Sequence, residues 1–243
     1  MAPRVSIVIP CYNHGTFLPE TLASVAAQTY REFEVIIVDD GSTDDLTVQL
    51  LDRLDGQECH VIRTPNRGVS AARNRGISKA SGQYILPLDA DDLIAPEYLA
   101  RTVTLLDGRA EVGVVFGERQ FFGERQGVEP LSPYEARRLL VENLIYPAAL
   151  FRKSDWAAVG GYNEAMVDGW EDWDFWIAIS ALNKVVIRLP EILFSYRVRH
   201  ASRDHSLKFS RKLWMYALMV RRNWKLYLVN LPYVMRSLCR LHL

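Results

Sequence analysis

Apolar and polar positions alternate in blocks along the first half of the chain. Val5–Ile9 is a short β-branched run closed by Pro10. It leads into TFLPETLASVAAQ, where Leu18, Leu22 and Val25 recur at helical spacing. Glu34–Val38 reads as a second strand, closed by DDGSTDD. A helix around Asp45–Leu54, a strand at His60–Arg63 and a helix around Val69–Ala80, entered at Gly68, follow in turn. YILPL supplies a fourth strand, a helix starts near Pro96, and Val112–Phe116 closes the series. Apolar strands alternating with amphipathic helices predict an α/β fold, a Rossmann-like and mostly parallel sheet flanked by helices. Ligands in such sheets bind beyond the carboxyl ends of the strands, and every acidic cluster of this half stands at such an end.

The second half is less periodic. Residues 118–135 are rich in Gly, Glu and Pro and read as a loop or hairpin excursion. PYEARRLLVEN reads as a helix, GGYNE as a turn, EDWDFWIAISAL as a helix, and VVIRLP and ILFSYRV as two short strands. Residues 207–243 are helical in period, with Pro232 as a break.

Length and charge refine this picture. The 243 residues suit one large domain with a tail. The net charge of zero hides an asymmetry: from Leu207 onward there are eight Lys or Arg and no Asp or Glu, against 21 basic and 29 acidic residues before it. A basic tail on an acidic body suggests an anionic partner. Its basic residues alternate with Trp, Tyr and Leu, which suits either a helix packed on the domain or an interfacial helix on an anionic membrane. Nothing else in the chain supports nucleic-acid binding. Three scattered cysteines argue against a disulfide framework and fit a reducing cytosol. The first apolar run is too short for a secretory leader, and no run approaches the roughly 18 residues of a spanning helix.

The acidic clusters carry the candidate chemistry. VDDGSTDD is a polar turn on its simplest reading, and a ribose or base contact on its functional one. The first strand-to-helix turn, PCYNHGTF, lacks the glycine-rich phosphate cradle, which disfavours a nicotinamide enzyme. In LDADD a helix cap accounts for one acid but not three. Mg²⁺ and Mn²⁺ favour carboxylate and phosphate oxygens, so a metal–diphosphate site accounts for the excess. In GWEDWDFW, Glu171 and Asp172 fall in a helix's first turn, where acids are favoured anyway. A carboxylate beside several aromatics also suits a general base. Arg67 and Arg73 of NRGVSAARNRG are candidates for phosphate or base contact.

These clusters occur in one order: VSIVIPCYN, IIVDDGSTDD, NRGVSAARNRGI, YILPLDADD, GGYNE, WEDWDFWIAI and LPEILFSYRV. In that order the chain resembles the family 2 glycosyltransferases of the GT-A fold, over about Val5 to Ser202. The resemblance implies transfer of a sugar from a nucleotide-sugar donor, with a UDP-sugar favoured, and inversion at the anomeric carbon. It implies that Pro10, Tyr12, Asp39 and Asp40 line the nucleoside pocket, and that Arg67 and Arg73 lie near the donor. Asp89 and Asp91 match the family's D-x-D motif, which holds Mn²⁺ or Mg²⁺ and the ribose–diphosphate, with Asp91 the more direct ligand. Asp172 matches the catalytic base, flanked by Trp170 and Glu171 on the donor side. One departure is visible. YRVRHAS places Arg199 where the family often has a metal-binding histidine, so Arg199 is a candidate diphosphate contact and His200, one residue later, a candidate metal ligand.

The expected organisation is a glycosyltransferase domain over residues 1–206 and a basic amphipathic tail over 207–243. Within the domain, 1–117 would bind the donor and 118–206 the acceptor. The expected acceptor is a hydroxyl of a glycan or lipid-linked glycan in cell-surface polysaccharide synthesis. The enzyme would be cytoplasmic, at the inner face of the membrane. The rivals are a transferase acting on polyprenyl phosphate, which needs no general base, and an inactive sugar-nucleotide-binding module.

Overall fold

Strand β1 (Val5–Cys11) is buried at all seven positions and forms the centre of the first half. In the computed structural model, which describes residues 3–57, 59–128, 132–199 and 208–240, it pairs in parallel with β2 (Phe33–Asp39) on one side and β4 (Tyr84–Pro87) on the other. Beyond β2 lies β3 (His60–Arg63), also parallel. The crossovers are helices α1 (Leu18–Ala26), α2 (Asp45–Leu54) and α3 (Val69–Lys79). Asp44 caps α2 by accepting the Thr47 N–H at 2.8 Å. Helix α3 lies very close to the sheet. A Cβ on Gly76 would stand 2.4 Å from Val8 Cγ1, so only glycine fits there.

The sheet is parallel as expected through β4 and mixed beyond it. Its order is β3-β2-β1-β4-β8-β6-β9-β5. The strand that completes the series, β6 (Val112–Gly123), does not pair with β4. The three-residue strand β8 (Leu150–Arg152) lies between them, antiparallel to both. Strand β5 (Leu93–Ile94) forms the far edge, antiparallel to β9 (Val185–Val198). In helix α4 (Tyr98–Gly108) the N-cap position is Glu97, whose side chain makes no capping bond, and no acid of LDADD stands there.

For the second half, one expectation is narrowed and two are corrected. Of the two alternatives for residues 118–135, the hairpin forms at its start: 118–123 extend β6 and Gly127–Val128 returns antiparallel as β7. The two expected short strands are one, β9, parallel to β6. Its register jumps from Phe116↔Arg188 to Glu118↔Ile192, so the segment around Pro190, which has no N–H to donate, bulges without ending the strand. The expected helix at PYEARRLLVEN is one 3₁₀ turn, Arg138–Leu140, because side chains from elsewhere take its carbonyls.

Helix α5 (Lys153–Ala158) ends at Gly160 and Gly161, both in the left-handed region. Helix α6 (Glu171–Ser180) is buried along nearly its whole length. The tail forms α7 (Phe209–Arg222), α8 (Trp224–Val229) and α9 (Leu231–Arg240). Its breaks fall at Asn223 and Asn230, while Pro232 sits in the first turn of α9, where its missing N–H costs nothing. The tail packs on the domain through Met215, Met219, Tyr227 and Val234. No helix among the described residues is long and apolar enough to cross a membrane.

Candidate active site

The carboxyl ends of β1 and β4, the turn after β2, the start of α6 and the end of β9 surround one cleft of about 780 Å³. Pro10, Tyr12, Asp40, Asp89, Asp91, Trp170, Glu171, Asp172 and Arg199 all line it. Sequence positions from 10 to 199 therefore meet in one wall because parallel strands end on the same side.

Asp39 and Asp40 separate by role. Asp39 accepts the Ser42 N–H at 2.8 Å and does not line the cleft. Asp40 does, and its two oxygens accept the Arg67 and Gly68 amides at 2.9 and 2.8 Å, fixing the entry to α3. The Arg67 side chain points away from the cleft and pairs with Glu164 at 3.1 Å. It lines a second depression with Trp156 and Gly161.

Arg73 is 1% exposed and bridges two cleft acids, Asp89 at 2.6 Å and Glu171 at 2.7 Å. Burial opposes its charge, but the two carboxylates outweigh it and hold the guanidinium above its ordinary range. A D-x-D acid and the acid beside Asp172 are thus fastened to one cation. Asp91 pairs with Arg199 at 2.8 Å. Burial, then the nearby Asp89, raises the Asp91 carboxyl. Arg199 also lies 3.2 Å from His14 Nε2 and 5.0 Å from the Phe17 ring centre. Asp92 is no helix cap. It accepts the Arg197 N–H at 2.9 Å and pins β9 to the D-x-D loop. His200 lies outside the described residues.

Asp172 stands opposite, in the first turn of α6, whose N-cap Trp170 adopts a left-handed φ of 58°. Its oxygens accept from Asn143 Nδ2 at 3.0 Å and from the Trp173 N–H at 2.8 Å. Burial first, then the adjacent Glu171, pushes its carboxyl up to about 7. A carboxylate that titrates near neutrality is suited to take a proton.

Several cleft residues are given no role by the chain's motifs. Asn143, Tyr146, Arg119 and Tyr196 line the wall beside Asp172. The Arg119 guanidinium stacks 4.4 to 5.5 Å from the ring centres of Phe121, Tyr146 and Tyr196. Only Tyr196 falls in a motif, YRVRHAS, which gives it no role; the β6–β9 pairing sets it beside Arg119, and the segment after the 3₁₀ turn brings in Asn143 and Tyr146.

No group of three His, Cys, Asp or Glu side chains suited to a metal forms among the described residues. Asp89 and Asp91 offer two carboxylates. Magnesium-type sites take one or two protein carboxylates and complete their shell with water and substrate phosphates. The pair therefore fits a divalent ion that arrives with a diphosphate, once Arg199 yields its place on Asp91.

The family model described as "Glycosyl transferase family 2" matches residues 6–163. The chain belongs to glycosyl transferase family 2. Among curated proteins, a PGL/p-HBAD biosynthesis glycosyltransferase of Mycobacterium tuberculosis is similar at 32% identity over 199 residues, covering 79% of this chain and 75% of that protein. An uncharacterized glycosyltransferase of Rickettsia felis is 27% identical over 228 residues, and there the chain spans only 36% of its relative's length. Among solved structures, Staphylococcus aureus TarS 1–349 in complex with UDP is similar at 26% identity, with a TM-score of 0.65, covering 80% of this chain and 60% of that one. A mannosyltransferase of Pyrobaculum calidifontis, in complex with GDP-Man and Mn²⁺, has the same fold at 22% identity, with a TM-score of 0.65 and coverage of 84% and 60%.

Proposed function

We propose that this family 2 chain is an inverting glycosyltransferase that moves a sugar from a nucleotide-sugar donor to an acceptor hydroxyl. The observation that carries the reading is the pairing, across one cleft, of the Asp89–Asp91 loop with a buried Asp172 titrating near 7. Residues 1–117 hold the donor, with Pro10, Tyr12 and Asp40 around the nucleoside and Asp39 beneath them. Asp89 and Asp91 hold a divalent cation, Mn²⁺ or Mg²⁺, which when bound neutralises charge on the leaving diphosphate. Asp172 takes the acceptor's proton as its oxygen attacks the anomeric carbon. The bond to the diphosphate breaks with its electron pair on the leaving group, and a single displacement inverts the centre. Asn143 orients the Asp172 carboxyl, and Arg73 fixes Glu171 and Asp89. Arg199, freed from Asp91, faces the diphosphate. A UDP donor is favoured because the UDP complex is that of the more similar solved structure.

The acceptor lies against residues 118–206 and is a glycan or lipid-linked glycan. The tail supports work at a membrane surface on the cytoplasmic side. Phe209, Trp214, Trp224, Leu228, Val229 and Met235 are all more than half exposed. Lys212, Arg221, Lys225 and Arg236 accompany them, a composition suited to an anionic interface.

The test is a screen of nucleotide sugars with Mn²⁺, followed by Asp172→Asn. The variant should keep donor binding and lose about 10²–10⁴-fold in turnover. Full turnover would refute the base and favour a polyprenyl-phosphate acceptor. No donor hydrolysis by the wild type with any sugar nucleotide would favour an inactive binding module.

A further inference from the structure

The tail does more than cover the domain. Its α7–α8 junction reaches the catalytic helix and the segment opposite it. Arg222 Nη1 donates to Asp174 Oδ2 at 2.6 Å, and Nη2 to the carbonyls of Val159 and Gly161 at 2.9 and 2.5 Å. Asn223 Nδ2 lies 3.3 Å from the other Asp174 oxygen. Asp174 is wholly buried and sits two residues after Asp172 in α6. On the other side, the hydroxyls of Tyr216 and Tyr227 both donate to the Leu140 carbonyl, at 3.1 and 3.0 Å. Trp173 Nε1 donates to the neighbouring Leu139 carbonyl at 2.6 Å. Leu139 and Leu140 belong to the 3₁₀ turn, and three residues later Asn143 donates to Asp172.

We infer that the C-terminal helices clamp Asp172 from both sides, with Arg222, Tyr216 and Tyr227 as positioning residues for the transfer reaction. The role given to Asp172 rests on the proposed function. The contact pattern itself does not. A buried carboxylate stripped of its cation is strongly unfavourable, so Asp174 cannot stay in place without Arg222, and α6 carries Asp172 with it. The Leu140 carbonyl lies in a segment whose regular helix never forms. Its two lone pairs are met by two tyrosine hydroxyls. Removing them frees the segment that presents Asn143.

A tail that merely stabilised the fold would lower the melting temperature and nothing else. The clamp predicts more. The Tyr216→Phe/Tyr227→Phe variant keeps both rings and removes only the hydroxyls. With UDP-GlcNAc and Mn²⁺ it should show a kcat about tenfold lower at unchanged KM. Calorimetric affinity for UDP should also be unchanged. Arg222→Met should lose more, and Arg222→Lys should recover part of that loss. Two readouts need no donor. Amide exchange over residues 139–143 and 171–174 should quicken by about tenfold in both variants. The Asp172 carboxyl, assigned in ¹³C-aspartate spectra by its absence from Asp172→Asn, should shift its midpoint by about half a pH unit. The charged or titratable groups facing that carboxyl are Glu171, Arg73 and Tyr162, with Asn143 as its side-chain donor. None of these is altered by the substitutions. Unchanged exchange and midpoint in the double phenylalanine variant would overturn the clamp, whether or not Arg222→Met folds. If the wild type turns over no sugar nucleotide but exchange and midpoint move, the transferase reading fails and the clamp stands.

Discussion

Asp172→Asn should do two opposite things, stabilise the protein and stop its reaction, and the first can be calculated. The carboxyl is 9% exposed and is raised from 3.8 to about 7 by burial and by Glu171. The folded state therefore holds this proton more tightly than the unfolded chain. Stability from this group is full below pH 4 and falls as the pH rises through 7. About three pH units at 1.36 kcal/mol each set a ceiling of about 4 kcal/mol on the loss. Roughly a third of it is already lost at pH 5, where the unfolded carboxyl has ionised. Asparagine carries no charge at any of these pH values. Its amide meets either Asn143 or the Trp173 N–H with a donor where an acceptor stood, a mismatch of about 1 kcal/mol. The net gain is about 3 kcal/mol at pH 8 and under about 1 kcal/mol at pH 5. For a chain of this size, about 2–4 °C per kcal/mol gives a Tm raised by roughly 6–12 °C at pH 8 and little changed at pH 5. Calorimetric melts of both proteins between pH 5 and pH 9 decide it. Melting temperatures that run parallel across that range would refute the assignment of a buried, charge-strained carboxyl to Asp172.

Three further outcomes follow from the ion pairs and the tail. Arg199→Ala frees Asp91 of its guanidinium, so Mn²⁺ affinity in the absence of nucleotide, read by electron paramagnetic resonance, should rise by about tenfold. Unchanged affinity would mean that Arg199 and the ion do not compete. Asp91→Ala should abolish any Mn²⁺ dependence of UDP binding in calorimetry; a dependence that survives would place the ion elsewhere. The full chain should float with vesicles containing phosphatidylserine and lose that binding on Lys212→Glu/Lys225→Glu, while neutral vesicles fail to recruit it. Flotation insensitive to these charges would remove the electrostatic half of the membrane reading.

The first half was legible because its signals are local. Strands β1, β2 and β4 are mostly apolar, buried runs, and the crossover helices carry their own period. The second half hid because its elements depend on distant partners. Strand β8 is three residues long and exists only between β4 and β6. Strand β9 survives Pro190 because a bulge takes up the break. The 3₁₀ turn replaced a plausible helix because Trp173, Tyr216 and Tyr227 bind its carbonyls from outside. The same division runs through the site. The acids announce themselves at strand ends and in one helix's first turn. The groups that hold them, Arg73 across to Glu171, Asn143 to Asp172 and Arg222 to Asp174, are joined over 98, 29 and 48 residues of chain. No local pattern records such pairs.

Charge pairing divides these acids into those that meet a cation and those that meet only neutral donors. The loop ending β4 concentrates three carboxylates, and repulsion alone would make it unstable. Arg73 answers Asp89 and Glu171 together, Arg199 answers Asp91, and the Arg197 amide answers Asp92. Asp174, buried beneath them, has Arg222. Asp172 makes no ion pair among the described residues. Its two bonds come from an uncharged amide and a backbone N–H. Like Asp92, Asp172 has no cation of its own: burial and the charge of Glu171 raise its carboxyl, and Arg73, already shared between Asp89 and Glu171, offsets them only in part. That imbalance raises its proton affinity. A second cation brought to Asp172, as in Asn143→Lys, should therefore hold the carboxyl ionised, weaken it as a base and move the acid limb of the rate profile to lower pH. An acid limb that stays in place would show that Asp172 does not set it.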